Sequence, residues 1–448
     1  MIGRRGSGSR TVTADRKAAM RDAVVHTLAG DVRGRWTDEV SSFLGIPYAA
    51  APFGPRRFRA PAPVTPWTGV RDALEFGPTP PGAGLIPGGD PFPDPKIPGE
   101  DCLNLNVWTP ALTGKRPVLV WIPGGGNVMG SAAQAVYDGA AFARDGVVLV
   151  SINHRLGAEG FAHLPDAPAN RGLRDQIAAL EWVRDNISAF GGDPANVTVA
   201  GLSAGAGSVM SLLSLDTGLF RRAIIQSGLL RGAHAPEDAA LVAARIARHA
   251  GVEATAQALS AIDPETLAGI ALAVYGELQA NPDPAVWGAT TTGSALAFST
   301  VVDGSLVIVD PWQRVLDGSG QEVDLMVGCA SDELLRMLPG AADVAATLTQ
   351  ALFRGPIHEM AEHRPGRTFV YEFAWRSPLP GVGAAHGLDI GFVFDTLGHS
   401  ALEGDAPPQD LADTMHQAWI SFARDGAPGW SEFPSVMRFD TPVEIVAR

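Results

Sequence analysis

The apolar positions of this chain fall into short, nearly continuous runs. "PVLVWI" (117–122), "VVLVSI" (147–152), "NVTVAG" (196–201), "RAIIQSG" (222–228), "DLMVGC" (324–329) and "RTFVYEF" (367–373) are each of strand length. Strands that are apolar on both faces belong to a parallel sheet sandwiched by helices. Between the second and third runs, Leu173, Ile177, Leu180, Val183, Ile187 and Phe190 recur every three or four positions. That spacing predicts an amphipathic helix, ended by "GGDP". Upstream, "CLNLNVWTP" alternates apolar and polar residues, the pattern of an outer antiparallel strand. Two helical stretches interrupt the alternation, an alanine-rich one near 230–295 and a second near 339–366. Helical excursions between sheet strands predict a cap over the strand ends, where open α/β sheets bind ligands.

Composition narrows the class. With 46% hydrophobic and 18% charged residues the chain can bury a large core. Its 448 residues suit a single α/β domain with insertions, from residue 23 to residue 448, behind a flexible extension over 1–22. The net charge of −14, without a basic stripe, argues against a nucleic-acid partner. The longest apolar run falls far short of the roughly 20 residues of a membrane helix. The arginine pair at the N-terminus is followed by no apolar segment, so a cytoplasmic location and no membrane partner are expected. Cys102 and Cys329 are too few for a disulfide framework and read as buried free thiols.

Chemistry concentrates in "TVAGLSAGAGS". G-x-S-x-G is weak evidence by itself in a chain with 52 glycines. Here a strand precedes Gly201-Leu202-Ser203-Ala204-Gly205 and a helical pattern follows. A sharp strand-to-helix turn would lift the Ser203 hydroxyl above the sheet; the alternative is a flexible turn. Serine needs a base, and the base needs an orienting group. His386 in "GAAHGLDIGFVF" lies on a turn after a strand, whereas His358 and His363 sit on a helical face and read as surface residues. Asp332 and Glu333, just past "DLMVGCA", are both candidates for the acid. Gly124, Gly125 and Gly126 follow a buried strand, and together with the N–H of Ala204 they could present donors to an oxyanion. No Lys-Ser/Thr follows that glycine run, which argues against a phosphate loop.

These motifs, with "FLGIPYAAAPFGPRRFRAP", "GEDCLNLNVWTP", "INHRLGAEGF" and "NRGLRDQIAALEWVRDNISAFGGDPANVTVAGLSAGAGSV", resemble the type-B carboxylesterases, the family of para-nitrobenzyl esterases and cholinesterases. The resemblance implies an α/β-hydrolase fold, a mostly parallel central sheet flanked by helices with a reduced helical cap. It implies a serine esterase that needs no metal or cofactor and acts on small-molecule esters, and neutral esters are expected because the apolar Leu202 stands beside the nucleophile. It also implies Ser203 as nucleophile, His386 as base and Glu333 as acid, with Gly125, Gly126 and Ala204 as oxyanion hole and Ser227 near the acid. The chain departs from the family pattern in four places. Leu202 stands where the family has glutamate, Pro123 stands before the glycine run, and Cys102 lacks the disulfide partner found in secreted relatives. Only about 50 residues separate Glu333 from His386, so a more open pocket is expected. Acyl transfer, lactonisation or elimination at the same site is an alternative chemistry, and a catalytically silent binding protein is a third reading.

Overall fold

Val118, Val120 and Ile122 are buried on one face of a sheet, Leu119 and Trp121 on the other, which accounts for the unbroken apolar run. The computed structural model describes residues 21–82 and 92–447. The expected extension over 1–22 lies outside these residues except for Arg21 and Asp22, which begin a strand. The strands are β1 (Arg21–Thr27), β2 (Gly30–Thr37), β3 (Val40–Pro47), β4 (Val70–Asp72), β5 (Asn104–Thr109), β6 (Arg116–Ile122), β7 (Val148–Ile152), β8 (Gly192–Leu202), β9 (Arg222–Gln226), β10 (Asp324–Ala330), β11 (Thr368–Phe373), β12 (Ser435–Phe439) and β13 (Glu444–Ala447). Among the described residues they form one 13-stranded sheet in the order β1-β2-β3-β5-β7-β6-β8-β9-β10-β11-β12-β13, with β4 beside β2. Pairing is parallel from β7 through β12 and antiparallel between neighbours of the main path at both ends.

Helices cover both faces. α1 (Arg171–Asn186) and α2 (Ala204–Ser214) bury Leu173, Leu180, Val209 and Leu212 against the face of Val118 and Val120. α3 (Pro236–Ala250) and α4 (Pro264–Ala280) form a separate apolar layer, in which Val242, Ile246, Leu267 and Val274 pack with Phe58, Val128 and Phe161. α5 (Gln409–Asp425) buries Trp419 and Phe422 with Trp121 on the opposite face. The "DPE" break is a cap: the Asp263 side chain accepts from the N–H groups of Glu265 and Thr266 at the start of α4.

One element differs from the sequence expectation. "NLNVWT" is the antiparallel strand β5, but it lies inside the sheet between β3 and β7 and is buried throughout. Its polar residues are taken up by hydrogen bonds: Asn106 Nδ2 donates to Ser151 Oγ at 3.0 Å, and Asn104 Nδ2 to the Pro78 carbonyl at 2.8 Å. Buried asparagines that are satisfied mimic the alternation of a solvated strand. Cys102 and Cys329 are buried free thiols. Among the described residues no helix is long and apolar enough to cross a membrane.

Candidate active site

The expected site residues all follow the C-terminal ends of adjacent parallel strands. Pro123–Gly126 follows β6, Ser203 follows β8, Ser227 follows β9, Glu333 lies beyond β10 and His386 beyond β11. This is the end of an open α/β sheet where ligand crevices form. The acid-bearing turn and the histidine loop are also stitched together, because the Asp332 N–H donates to the Ala384 carbonyl at 3.0 Å and the Ser331 N–H to that of Phe373 at 2.8 Å.

Ser203 has φ 58° and ψ −120°, a strained conformation for a residue with a Cβ. Its N–H donates to the Gln226 carbonyl and its own carbonyl accepts from the Gly207 N–H, both at 2.9 Å. The flanking glycines are required by backbone approach. A Cβ on Gly205 would lie 2.3 Å from the Ile122 carbonyl oxygen, and one on Gly201 would lie 2.6 Å from the backbone of Gly205. Helix α2 is thereby drawn onto the end of β6, with its first N–H groups beside Ser203.

The glycine run curls over the same point. A Cβ on Gly124 would be 3.3 Å from the Ser203 Cβ and 3.5 Å from a methyl of Leu202. Gly125 (φ 123°) and Gly126 (φ 63°) take conformations that disfavour any side chain. The Gly125 carbonyl accepts from the N–H groups of Val128 and Met129, at 3.1 and 3.0 Å. The N–H groups of Gly125, Gly126 and Ala204 have no hydrogen-bond acceptor among the described residues, as an oxyanion hole requires. Asn127 braces the loop by donating Nδ2 to the Phe298 carbonyl at 3.1 Å, a role its sequence position did not signal. The Pro123 carbonyl oxygen would lie 2.6 Å from a Cβ on Gly205, so the residue before the glycine run also presses on the serine turn.

Glu333 is fully buried. Its Oε1 accepts from the Ala330 N–H at 2.7 Å, and Oε2 is hydrogen-bonded to His386 Nδ1. Burial alone would push the His386 imidazole down. The charge and hydrogen bond of Glu333 outweigh it and hold the imidazole above its usual value. The His386 side chain remains 16% exposed. His363 is exposed, and His358 is half-buried and packs its ring near that of Phe433. Ser227 is buried with φ 52°, and its N–H donates to the Gly328 carbonyl at 2.8 Å. Its hydroxyl makes no hydrogen bond to Glu333. Asp389 had not been singled out. It is fully buried, and burial together with the charge of Glu333 pushes its carboxyl up to about 7. The only sequence signal was a carboxylate three residues past the candidate base, in "HGLD". Leu202 is buried beside the nucleophile, and no charge replaces the missing glutamate at that position.

The model of the carboxylesterase family matches residues 21–351. The chain belongs to the carboxylesterase family. Phenmedipham hydrolase of Pseudarthrobacter oxydans is 33% identical, over 94% of this chain and 94% of that protein. The para-nitrobenzyl esterase of Bacillus subtilis (strain 168) is 32% identical, over 91% of each. Among solved structures, the Geobacillus stearothermophilus carboxylesterase Est55 superposes with a TM-score of 0.78 at 32% identity, covering 95% of this chain and 97% of that one. A para-nitrobenzyl esterase structure gives 0.83 at 29%, with the same coverage. This carboxylesterase therefore has the α/β-hydrolase fold and is a serine carboxylic ester hydrolase acting on small-molecule esters.

Proposed function

We propose that this carboxylesterase hydrolyses neutral esters with Ser203 as nucleophile, His386 as base and Glu333 as the residue that orients it. Ser203 Oγ attacks the ester carbonyl while His386 Nε2 takes its proton. The same nitrogen then protonates the departing alcohol, and a water activated by His386 releases the acid from the acyl-enzyme. Glu333 accepts from His386 Nδ1 and so holds the imidazole in the tautomer that leaves Nε2 free to accept. The N–H groups of Gly125, Gly126 and Ala204 stabilise the developing oxyanion. The helices within 236–294 and 342–363 act as the cap, a reading supported by the Tyr275 ring of α4, which lies 3.4 Å from the Cβ position of Gly126.

The observation that carries this reading is a strained serine at the head of a helix, with a buried Glu333–His386 pair on neighbouring strand ends. A fluorophosphonate probe should add once to the intact protein, at Ser203. Ser203→Ala should abolish both the adduct and at least about 10⁴-fold of the ester turnover. An adduct elsewhere, or turnover surviving that substitution, refutes the assignment.

The preference for neutral alcohols rests on Leu202, which offers a quaternary ammonium neither charge nor π-face and leaves its desolvation uncompensated. Butyrylcholine should be a poorer substrate by kcat/KM than 3,3-dimethylbutyl butyrate, its uncharged counterpart. Leu202→Glu should narrow the gap. A wild-type preference for the choline ester would place a cation site elsewhere in the pocket.

A further inference from the structure

The three N–H groups of the oxyanion hole are held by unequal means. That of Ala204 is fixed at the head of α2, whereas those of Gly125 and Gly126 belong to a glycine run. Glycine has no Cβ to restrict its backbone, so such a run keeps its shape only where neighbours impose it. The hydrogen bonds to the Gly125 carbonyl set the first of the two positions. Gly126 has no such tie: neither its N–H nor its carbonyl takes part in a backbone hydrogen bond among the described residues. It nevertheless holds φ 63°, and the atoms nearest to its Cβ position are Cε2, Cζ and Oη of Tyr275, at 3.4, 3.4 and 3.5 Å.

Tyr275 is presented by α4, and the same face of that helix reaches the loop again one turn earlier. The Cβ of Ala271, four residues before Tyr275, lies 3.1 Å from the Cβ position of Gly157. Gly157 in turn donates its N–H to the Asn127 carbonyl at 2.6 Å. Val128, the next residue of the loop, is buried in one apolar layer with Val274 and Leu278. Gly126, Asn127 and Val128 are thus held by α4, directly or through Gly157. Tyr275 is half-buried, and its hydroxyl forms no hydrogen bond among the described residues. Its contact with Gly126 is therefore one of packing.

We propose that Tyr275 is a positioning residue for the oxyanion hole, its ring clamping Gly126 in the conformation that aims the N–H at the developing negative charge. The proposal rests on Ser203 being the nucleophile and on Gly126 serving the hole. It gives α4 a part in the chemistry beyond covering the cleft. A donor in the hole acts on the transition state far more than on the bound ester, so displacing it lowers kcat and leaves KM. Loss of a donor costs about 10²- to 10³-fold, and a misplacement of about 1 Å costs about 10²-fold.

The test compares wild type with Tyr275→Phe, Tyr275→Leu and Tyr275→Met on p-nitrophenyl acetate and butyrate, with fluorophosphonate labelling of each protein. A second readout is inhibition by hexyl trifluoromethyl ketone. Ser203 Oγ adds to its carbonyl, the proton passes to His386, and the resulting oxyanion sits in the hole. Tyr275→Phe keeps the ring and should stay within about threefold of wild type in kcat and Ki. Tyr275→Leu and Tyr275→Met should lower kcat by about 10- to 100-fold, equally on both esters and at nearly constant KM, and raise Ki in proportion. Both should still label at Ser203, more slowly. Methionine refills the space the ring leaves, and this variant carries the comparison if Tyr275→Leu does not fold. A loss confined to KM would make Tyr275 a wall of the substrate pocket, and a loss in Tyr275→Phe as large as in Tyr275→Leu would make the hydroxyl the acting group. Either result, or kcat and Ki unchanged in all three variants, overturns the proposal while leaving the esterase site standing. A wild type that neither turns over any ester nor labels at Ser203 overturns the site itself.

Discussion

Asp332 and Glu333 are neighbours in the chain, yet their carboxylates go to different places. Asp332 pairs with Arg376 at the surface and accepts from the Ala384 N–H at 2.9 Å, which braces the histidine loop. Glu333 turns inward to His386. Glu333→Gln should therefore lower kcat by about 10³- to 10⁴-fold, and Asp332→Asn by less than about tenfold. Each loss can be read from burst-phase and steady-state rates. The same contact shapes the pH profile. The base is competent only when neutral, and Glu333 holds its pKa above the ordinary imidazole value. The acid limb of kcat/KM should then lie above the ordinary imidazole value of 6.5 and move down in Glu333→Gln, which removes the anionic charge. Equal losses in the two variants, or a limb below that value in wild type, would sink the assignment of the acid. The choice between these neighbours was open in the residues themselves and was made by resemblance, because one step along a turn reverses a side chain's direction.

At the scale of elements, legibility followed burial. Six strands could be read because their runs are apolar on both faces, and they are β6 through β11. The serine turn could be read because its glycines meet backbone within 3 Å on either side, leaving a spacing that sequence alone preserves. The strands at both ends of the sheet were not read. β1 and β13 carry several exposed positions, and β12 is buried at only two of its five, so their pairing rather than their pattern defines them. β5 misled in the opposite way, since its asparagines are polar and yet buried and satisfied. Asp389 lay beyond sequence reasoning for a related reason. A buried carboxylate becomes notable only once Glu333 is known to act on it.

The whole molecule carries a pH dependence that no single element reveals. His154 and His234 are almost completely buried, and burial pushes each down to about 4, only partly offset by the charges of Asp175 and Asp238. His154 lies edge-on to Phe161, and neither of its ring nitrogens has a hydrogen-bond partner among the described residues; His234 Nε2 meets Ser294 Oγ at 2.9 Å. A base whose folded pKa lies below its unfolded value near 6.5 stabilises the fold fully above 6.5. That contribution is lost as pH falls from 6.5 through 4, because the unfolded chain takes up the proton first. At pH 5 this amounts to about 2 kcal/mol for each histidine. Asp389 acts in the opposite sense. Its carboxyl keeps its proton up to about 7 in the fold but loses it near 3.8 when unfolded, so it favours the fold as pH falls from 7. The net loss in acid is therefore the difference between two opposing terms, and variants separate them better than wild type alone. Between pH 7.5 and 5.0, the drop in Tm should shrink in His154→Leu and grow in Asp389→Asn, whatever each substitution does to Tm at pH 7.5. Thermal unfolding of the three proteins at the two pH values decides it. Three parallel curves would mean that these buried groups do not titrate as the fold requires.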